Sequence, residues 1–113
     1  MQAKLTYAIK FVLDMDKAVD FYRDTFGLTP RFTSPEWSEF DTGATRLALH
    51  LTDDRQKAGS VQIGFTVADL PQIYAARDEL GLEFSQAPFE EHGTLLSRVV
   101  DCEGAEVSLS GAP

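Results

Sequence analysis

The sequence predicts an α+β fold of two paired βαβββ modules that together form a cleft-lined mixed sheet. Three observations predict it. An apolar strand runs into a capped amphipathic helix over Asp14–Leu28; the same succession returns over residues 69–82; and each occurrence is followed by three short strand-like segments. The spacing supports a repeat: Tyr7 to Gln62 and Asp14 to Asp69 are each 55 positions apart, Gly27 to Gly81 is 54, and Leu49-His50-Leu51 precedes Val107-Ser108-Leu109 by 58. The chain is therefore read as one domain, 1–113, with a first module at 1–52, a linker at 53–60 and a second module at 61–113.

Each element has a local cause. In the first strand, Leu5 to Leu13, residues Tyr7, Ile9, Phe11 and Leu13 share one face, while Ala8, Lys10 and Val12 share the other. Asp14 caps the first helix, Met15, Ala18, Val19, Tyr22 and Phe26 recur at helical spacing, and Gly27 suits the left-handed residue that ends it. Pro30 and Pro35 punctuate two short strands, Thr29 to Thr33 and Trp37 to Asp41. From Thr45 to Thr52 the alternation is clean: Leu47, Leu49 and Leu51 are expected to face the helix, and Arg46, Ala48 and His50 the opposite side. The polar run Asp53 to Ser60 breaks the pattern and reads as the linker.

In the second half, Val61, Ile63, Phe65 and Val67 alternate with Gln62, Gly64 and Thr66; Asp69 caps a helix with Pro71 in its first turn and Gly81 at its end. Short strands are expected around Phe84, over 95–100 and over 105–110, and Phe11, Phe32, Phe40, Phe84 and Phe89 are read as core. Modules related in this way pack about a pseudo-twofold axis, which would gather their non-helix faces around one cleft and bring Tyr7, His50, Gln62 and Ser108 together.

Composition narrows the function. A net charge of −8 with ten scattered basic residues excludes binding along a nucleic-acid backbone, which needs clustered Lys and Arg. A single cysteine, Cys102, excludes an intrachain disulfide and a cysteine-rich metal cage. No apolar run approaches a membrane span and no signal peptide is recognised, so no membrane partner is expected and the cytoplasm is the expected location. There is no Gly-x-Ser-x-Gly elbow and no glycine-rich phosphate loop.

The helix with Phe21-Tyr22 and Phe26-Gly27-Leu28, and the closing segment Asp101-Cys102-Glu103-Gly104-Ala105-Glu106-Val107-Ser108-Leu109, resemble the vicinal oxygen chelate superfamily, which includes glyoxalase I, bleomycin resistance proteins and extradiol dioxygenases. The closing segment resembles the family's Asp-Pro-Asp-Gly-Asn-x-x-Glu-Leu ending with Pro, Asp, Asn and the functional Glu replaced. In metal-dependent relatives, His, Gln or Glu side chains from four strands hold a divalent ion. The resemblance carries those positions onto Tyr7, His50, Gln62 and Ser108, of which only His50 is a strong ligand for a transition metal. Neither a metal nor another cofactor is therefore expected.

The departure points towards the metal-free branch, in which bleomycin resistance proteins act as dimers that hold the drug in aromatic grooves. A homodimer is accordingly expected. Trp37 alternates with Glu39 and Asp41 on one strand; the aromatic ring would stack a planar guest, the carboxylates would counter positive charge, and Tyr7, His50, Gln62 and Ser108 would supply polar contacts. Trp37 at a dimer interface is the structural alternative. His50 is the best catalytic candidate, as a general base on a cleft-facing strand; its alternative is a hydrogen-bonded histidine without a chemical task. His92 reads as exposed, and Arg98 as a partner for an anionic ligand or for a neighbouring acid. Three functional readings are open, the first two being a metal-independent protein that binds a small, cationic or aromatic molecule, and an enzyme, a lyase, isomerase or dioxygenase, that uses His50 with or without a divalent metal. A regulatory dimer without a ligand is the third.

Overall fold

The computed structural model describes residues 1–53 and 55–113; Asp54, in the expected linker, lies outside the described residues. The chain has an α+β architecture of eight strands and a few short helices, divided into two compact units, Thr6–Gln62 and Met1–Leu5 with Ile63–Pro113.

The first unit contains most of β1 (Ala3–Val12), α1 (Met15–Asp20), a π-helical turn (Phe21–Thr25), β2 (Thr29–Phe32), β3 (Trp37–Asp41) and β4 (Arg46–Leu51). Its strands lie in the order β2-β3-β4-β1, with β4 antiparallel to β3 and parallel to β1. The second follows the same plan, with most of β5 (Val61–Val67), α2 (Leu70–Ala75), α3 (Arg77–Leu80), β6 (Glu83–Glu91), β7 (Thr94–Val100) and β8 (Glu106–Gly111), in the order β5-β8-β7-β6 with β8 parallel to β5. Each unit is thus a βαβββ module whose first strand lies beside its last.

Both expected caps are present: the Asp14 carboxylate accepts from Lys17 N–H and that of Asp69 from Gln72 N–H, each at 3.1 Å. Gly81, at φ 70°, closes α3 with Gly81 N–H to Asp78 and Leu82 N–H to Arg77, the paired bonds of a Schellman ending. The first helix is one residue longer between cap and glycine than the second, and the π-helical turn absorbs that residue: Phe26 N–H reaches back five positions to Phe21, and Leu28 N–H six to Tyr22. The wider turn also explains a departure from the helical pattern. Met15 and Val19 are buried as expected, but Phe26 is 61% exposed, because beyond the inserted residue the face no longer points at the sheet.

The expected leucine face is found: Leu47, Leu49 and Leu51 pack with Met15, Val19 and Phe40 beneath α1. In the second unit, Val67, Leu70, Val99, Val107 and Leu109 form the corresponding core, with Phe65, Ile73 and Phe84 against it. The start of β5 departs from expectation. Val61 and Ile63 are exposed while Gln62 is buried, since α2, beginning at Leu70, covers only the Phe65–Val67 end of the strand. Leu13 lies beyond β1 and is exposed, and Phe32 and Phe89, expected in the core, are exposed on β2 and β6, the outermost strand of each unit at the end away from β1 or β5. Both of these strands contain a proline, Pro30 and Pro88, as an edge position tolerates. The strand expected around Phe84 extends over nine residues to Glu91, where His92, exposed and at φ 52°, joins Gly93 in the turn to β7.

Candidate functional site

The side of the first unit's sheet that faces away from α1 carries the candidate site. Strand register sets nine side chains in three rows. Asp41, Arg46 and Tyr7 form one; Glu39, Ala48 and Ile9 the next; Trp37, His50 and Phe11 the third. Small Ala48 at the centre is fully buried with Ile9 and Phe11, and Tyr7 and Trp37 pack against this floor.

The Trp37 indole is held in several directions. Its Nε1–H donates to Glu39 Oε2 at 2.8 Å, its ring meets Tyr7 edge-on at 6.0 Å and 72°, and it meets His50 edge-on at 5.6 Å and 83°. Because Tyr7 stands diagonally across the small Ala48, the indole spans rows that side chains of ordinary size would leave apart. Phe11 supports His50 from the other side at 5.2 Å. His50 Nδ1 lies 2.6 Å from the Leu51 carbonyl oxygen, which can only accept, so Nδ1 carries a proton, and in the neutral imidazole Nε2 is the acceptor.

Glu39 is 6% exposed yet is not an isolated buried charge. Besides the indole N–H, it faces Arg31 at 3.7 Å and Arg46 at 3.8 Å, and Arg31 also contacts Asp41 at 3.3 Å. Two carboxylates are therefore matched by two guanidinium groups. Neither arginine was among the site residues read from the sequence. Arg46 shares strand parity with His50; Arg31 lies two residues beyond Thr29, which pairs with Asp41, so alternation along β2 puts it on the same side, and both signals were available.

Of the sequence-read site residues, Tyr7, Trp37, Glu39, Asp41 and His50 therefore share one face of one unit. Gln62 is buried near the start of β5. Ser108 lies on β8 in the other unit, opposite Gly64 on β5 and Arg98 on β7. Arg98 has no acidic cross-strand neighbour; Gln86 stands opposite it on β6. Cys102 is exposed in the turn after β7, where Asp101 accepts from the N–H groups of Glu103 and Ala105, each at 2.9 Å. A separate concavity of about 820 Å³ on the helix side, lined by Leu13, Asp14, Val19, Arg23 and Ser34 among others, has no aromatic platform.

The donor set does not fit a transition metal. Tyr7, His50, Gln62 and Ser108 offer one imidazole, one amide, a phenol and an aliphatic hydroxyl, with no carboxylate to supply charge. Among the described residues there is no group of three or more His, Cys, Asp and Glu side chains arranged to hold a metal.

Two βαβββ modules, each with its first strand beside its last, define an α+β fold of the glyoxalase/bleomycin-resistance type. The sequence model of the Glyoxalase/Bleomycin resistance protein/Dioxygenase superfamily matches residues 4–109, and the chain belongs to that superfamily. Solved structures share the fold at low sequence identity. A hypothetical protein from Bacillus halodurans is 12% identical with a TM-score of 0.81, covering 100% of this chain and 96% of that one. Methylmalonyl-CoA epimerase from Mycobacterium tuberculosis is 14% identical, TM-score 0.75, covering 96% and 87%. A variant of methylmalonyl-CoA epimerase from Streptomyces coelicolor, solved with 2-nitronate-propionyl-CoA, is 20% identical, TM-score 0.75, covering 96% of both chains. No curated protein matches the sequence. Among the described residues no helix is long and apolar enough to cross a membrane.

Proposed function

We propose that this chain is a metal-independent small-molecule binding protein whose first-unit sheet face takes a planar aromatic ligand against Trp37. The carrying observation is the fixation of the indole by Glu39, Tyr7 and His50: a stacking surface held before the ligand arrives loses little side-chain freedom on binding. Ala48, Ile9 and Phe11 give the rings a packed apolar floor, and Nε2 of a neutral His50 offers an acceptor for a ligand N–H or O–H. The charge preference expected from Glu39 and Asp41 changes in this reading. Both carboxylates already face arginines, so they brace the site rather than attract a cation. Calorimetric titration of chelator-treated protein with planar aromatic probes tests the proposal. Saturable binding that weakens at least about tenfold in Trp37→Leu is expected, the loss of one stacked ring; binding that ignores Trp37 would refute it.

A second reading, a metal-free enzyme that moves a proton through His50, draws on the free Nε2 of that residue and on the likeness to methylmalonyl-CoA epimerases. Its mark would be exchange of an α-proton of an acyl thioester for solvent deuterium, insensitive to chelator and abolished in His50→Ala.

A further inference from the structure

Resting on that reading of the Trp37 face, we infer that its ligand is an aromatic acid, with the ring on the indole and the carboxylate on a receptor made by Arg46 and Tyr7. The two arginines of the site are not equivalent. Arg31 is engaged by both acids, at 3.7 Å to Glu39 and 3.3 Å to Asp41. Arg46 stands opposite Asp41 in the strand register, yet Asp41 pairs with Arg31. The guanidinium of Arg46 donates once, to the Tyr7 hydroxyl at 3.3 Å, and touches Glu39 at the longer distance of 3.8 Å. A guanidinium has five N–H donors in a planar fork, so most of this one is available to a carboxylate in bidentate geometry.

Tyr7 completes the receptor. Having accepted from Arg46, its hydroxyl keeps its own proton as a donor for the same carboxylate. Tyr7 borders both parts: its ring lies 6.0 Å from the Trp37 ring and 5.9 Å from the Arg46 guanidinium carbon. Glu39 keeps the indole N–H and Arg31 when Arg46 turns to the ligand, so no buried acid is left unpaired. This assigns the site an anionic guest, the opposite sign from the cation suggested by the two acids alone.

The experiment compares three probes of one shape by calorimetry: naphthalene-2-carboxylate, naphthalene-2-carboxamide and 2-naphthylmethylammonium. Wild-type protein should bind the carboxylate about tenfold or more tightly than the carboxamide, and the ammonium most weakly, the range of a charge-assisted hydrogen bond against a neutral one. Arg46→Gln should erase the difference while still binding the carboxamide, and Tyr7→Phe should reduce it severalfold. Equal binding of carboxylate and carboxamide by the wild type, a preference that survives Arg46→Gln, or tightest binding of the ammonium would each overturn the inference while leaving the stacking site intact. Failure of all three probes to bind would remove the stacking reading and this inference with it. The wild-type comparison decides the matter even if Arg46→Gln does not fold.

Discussion

Trp37 and Glu39, two residues apart on β3 and on the same side of the sheet, are joined by a 2.8 Å hydrogen bond from the indole Nε1–H to the carboxylate. The bond gives a buried acid a partner and a half-buried ring a fixed position. Glu39→Ala should therefore lower stability by about 1–3 kcal/mol, the cost of stranding a buried donor. Glu39→Gln, which retains an acceptor, should cost less. Trp37 is the only tryptophan, so urea unfolding followed by its fluorescence reads both effects; equal losses in the two variants would show that the bond is not what matters.

The π-helical turn implies a deletion that the fold tolerates. Removing Asp24 brings the first helix to the cap-to-glycine length of the second, at the expense of an exposed Arg23–Asp24 ion pair that contributes little. The variant should fold with a loss of no more than about 1–2 kcal/mol. Thermal melts and circular dichroism check it, and an unfolded product would mean the extra residue is required rather than absorbed.

A close approach in the second unit gives an independent test. A Cβ on Gly111 would lie 2.7 Å from the Val67 carbonyl oxygen, where β8 passes the end of β5. Gly111→Ala should destabilise the protein by about 1–3 kcal/mol through that clash, whereas a neutral result in denaturant titration would show that the strand ends part easily.

Acid titration has a defined sign at two exposed carboxylates. Asp24 is held below the ordinary carboxylate range by its hydrogen bond to Arg23, and Asp53 by the backbone N–H of Arg55 and then Gln56. Because the folded state depresses both, the stabilisation they give is present above their unfolded values and is lost as pH falls through the folded ones. NMR titration should show both midpoints below the ordinary range, and Arg23→Gln should return Asp24, but not Asp53, towards it. A simultaneous shift of both would implicate the general charge of the protein instead.

Much of the fold was legible because its causes are local. Asp14 and Asp69 cap, Gly27 and Gly81 stop, and Leu47, Leu49 and Leu51 alternate, each within a few residues of chain. Even the slip from 55 to 54 positions in the repeat carried information, since it marks the residue that the π-helical turn takes up. What escaped depends on contacts distant in sequence. Phe32 and Phe89 are apolar enough for a core, but only strand order puts them on outer strands. The face of Trp37, Glu39 and His50 followed from parity, whereas the neutralisation of Glu39 and Asp41 depends on strand pairing that sets Arg31 on β2 and Arg46 on β4 beside them. An acid read without its partner looks like a receptor for cations; beside two arginines it becomes part of the frame.

Metal-free binding at Trp37 is tested by calorimetric titration of chelator-dialysed protein with naphthalene-2-carboxylate, repeated after one equivalent of zinc. One saturable site with the same affinity in both titrations is expected, with at least about tenfold weaker binding in Trp37→Leu. Binding that appears only after zinc is added, or that is unchanged in Trp37→Leu, would contradict it.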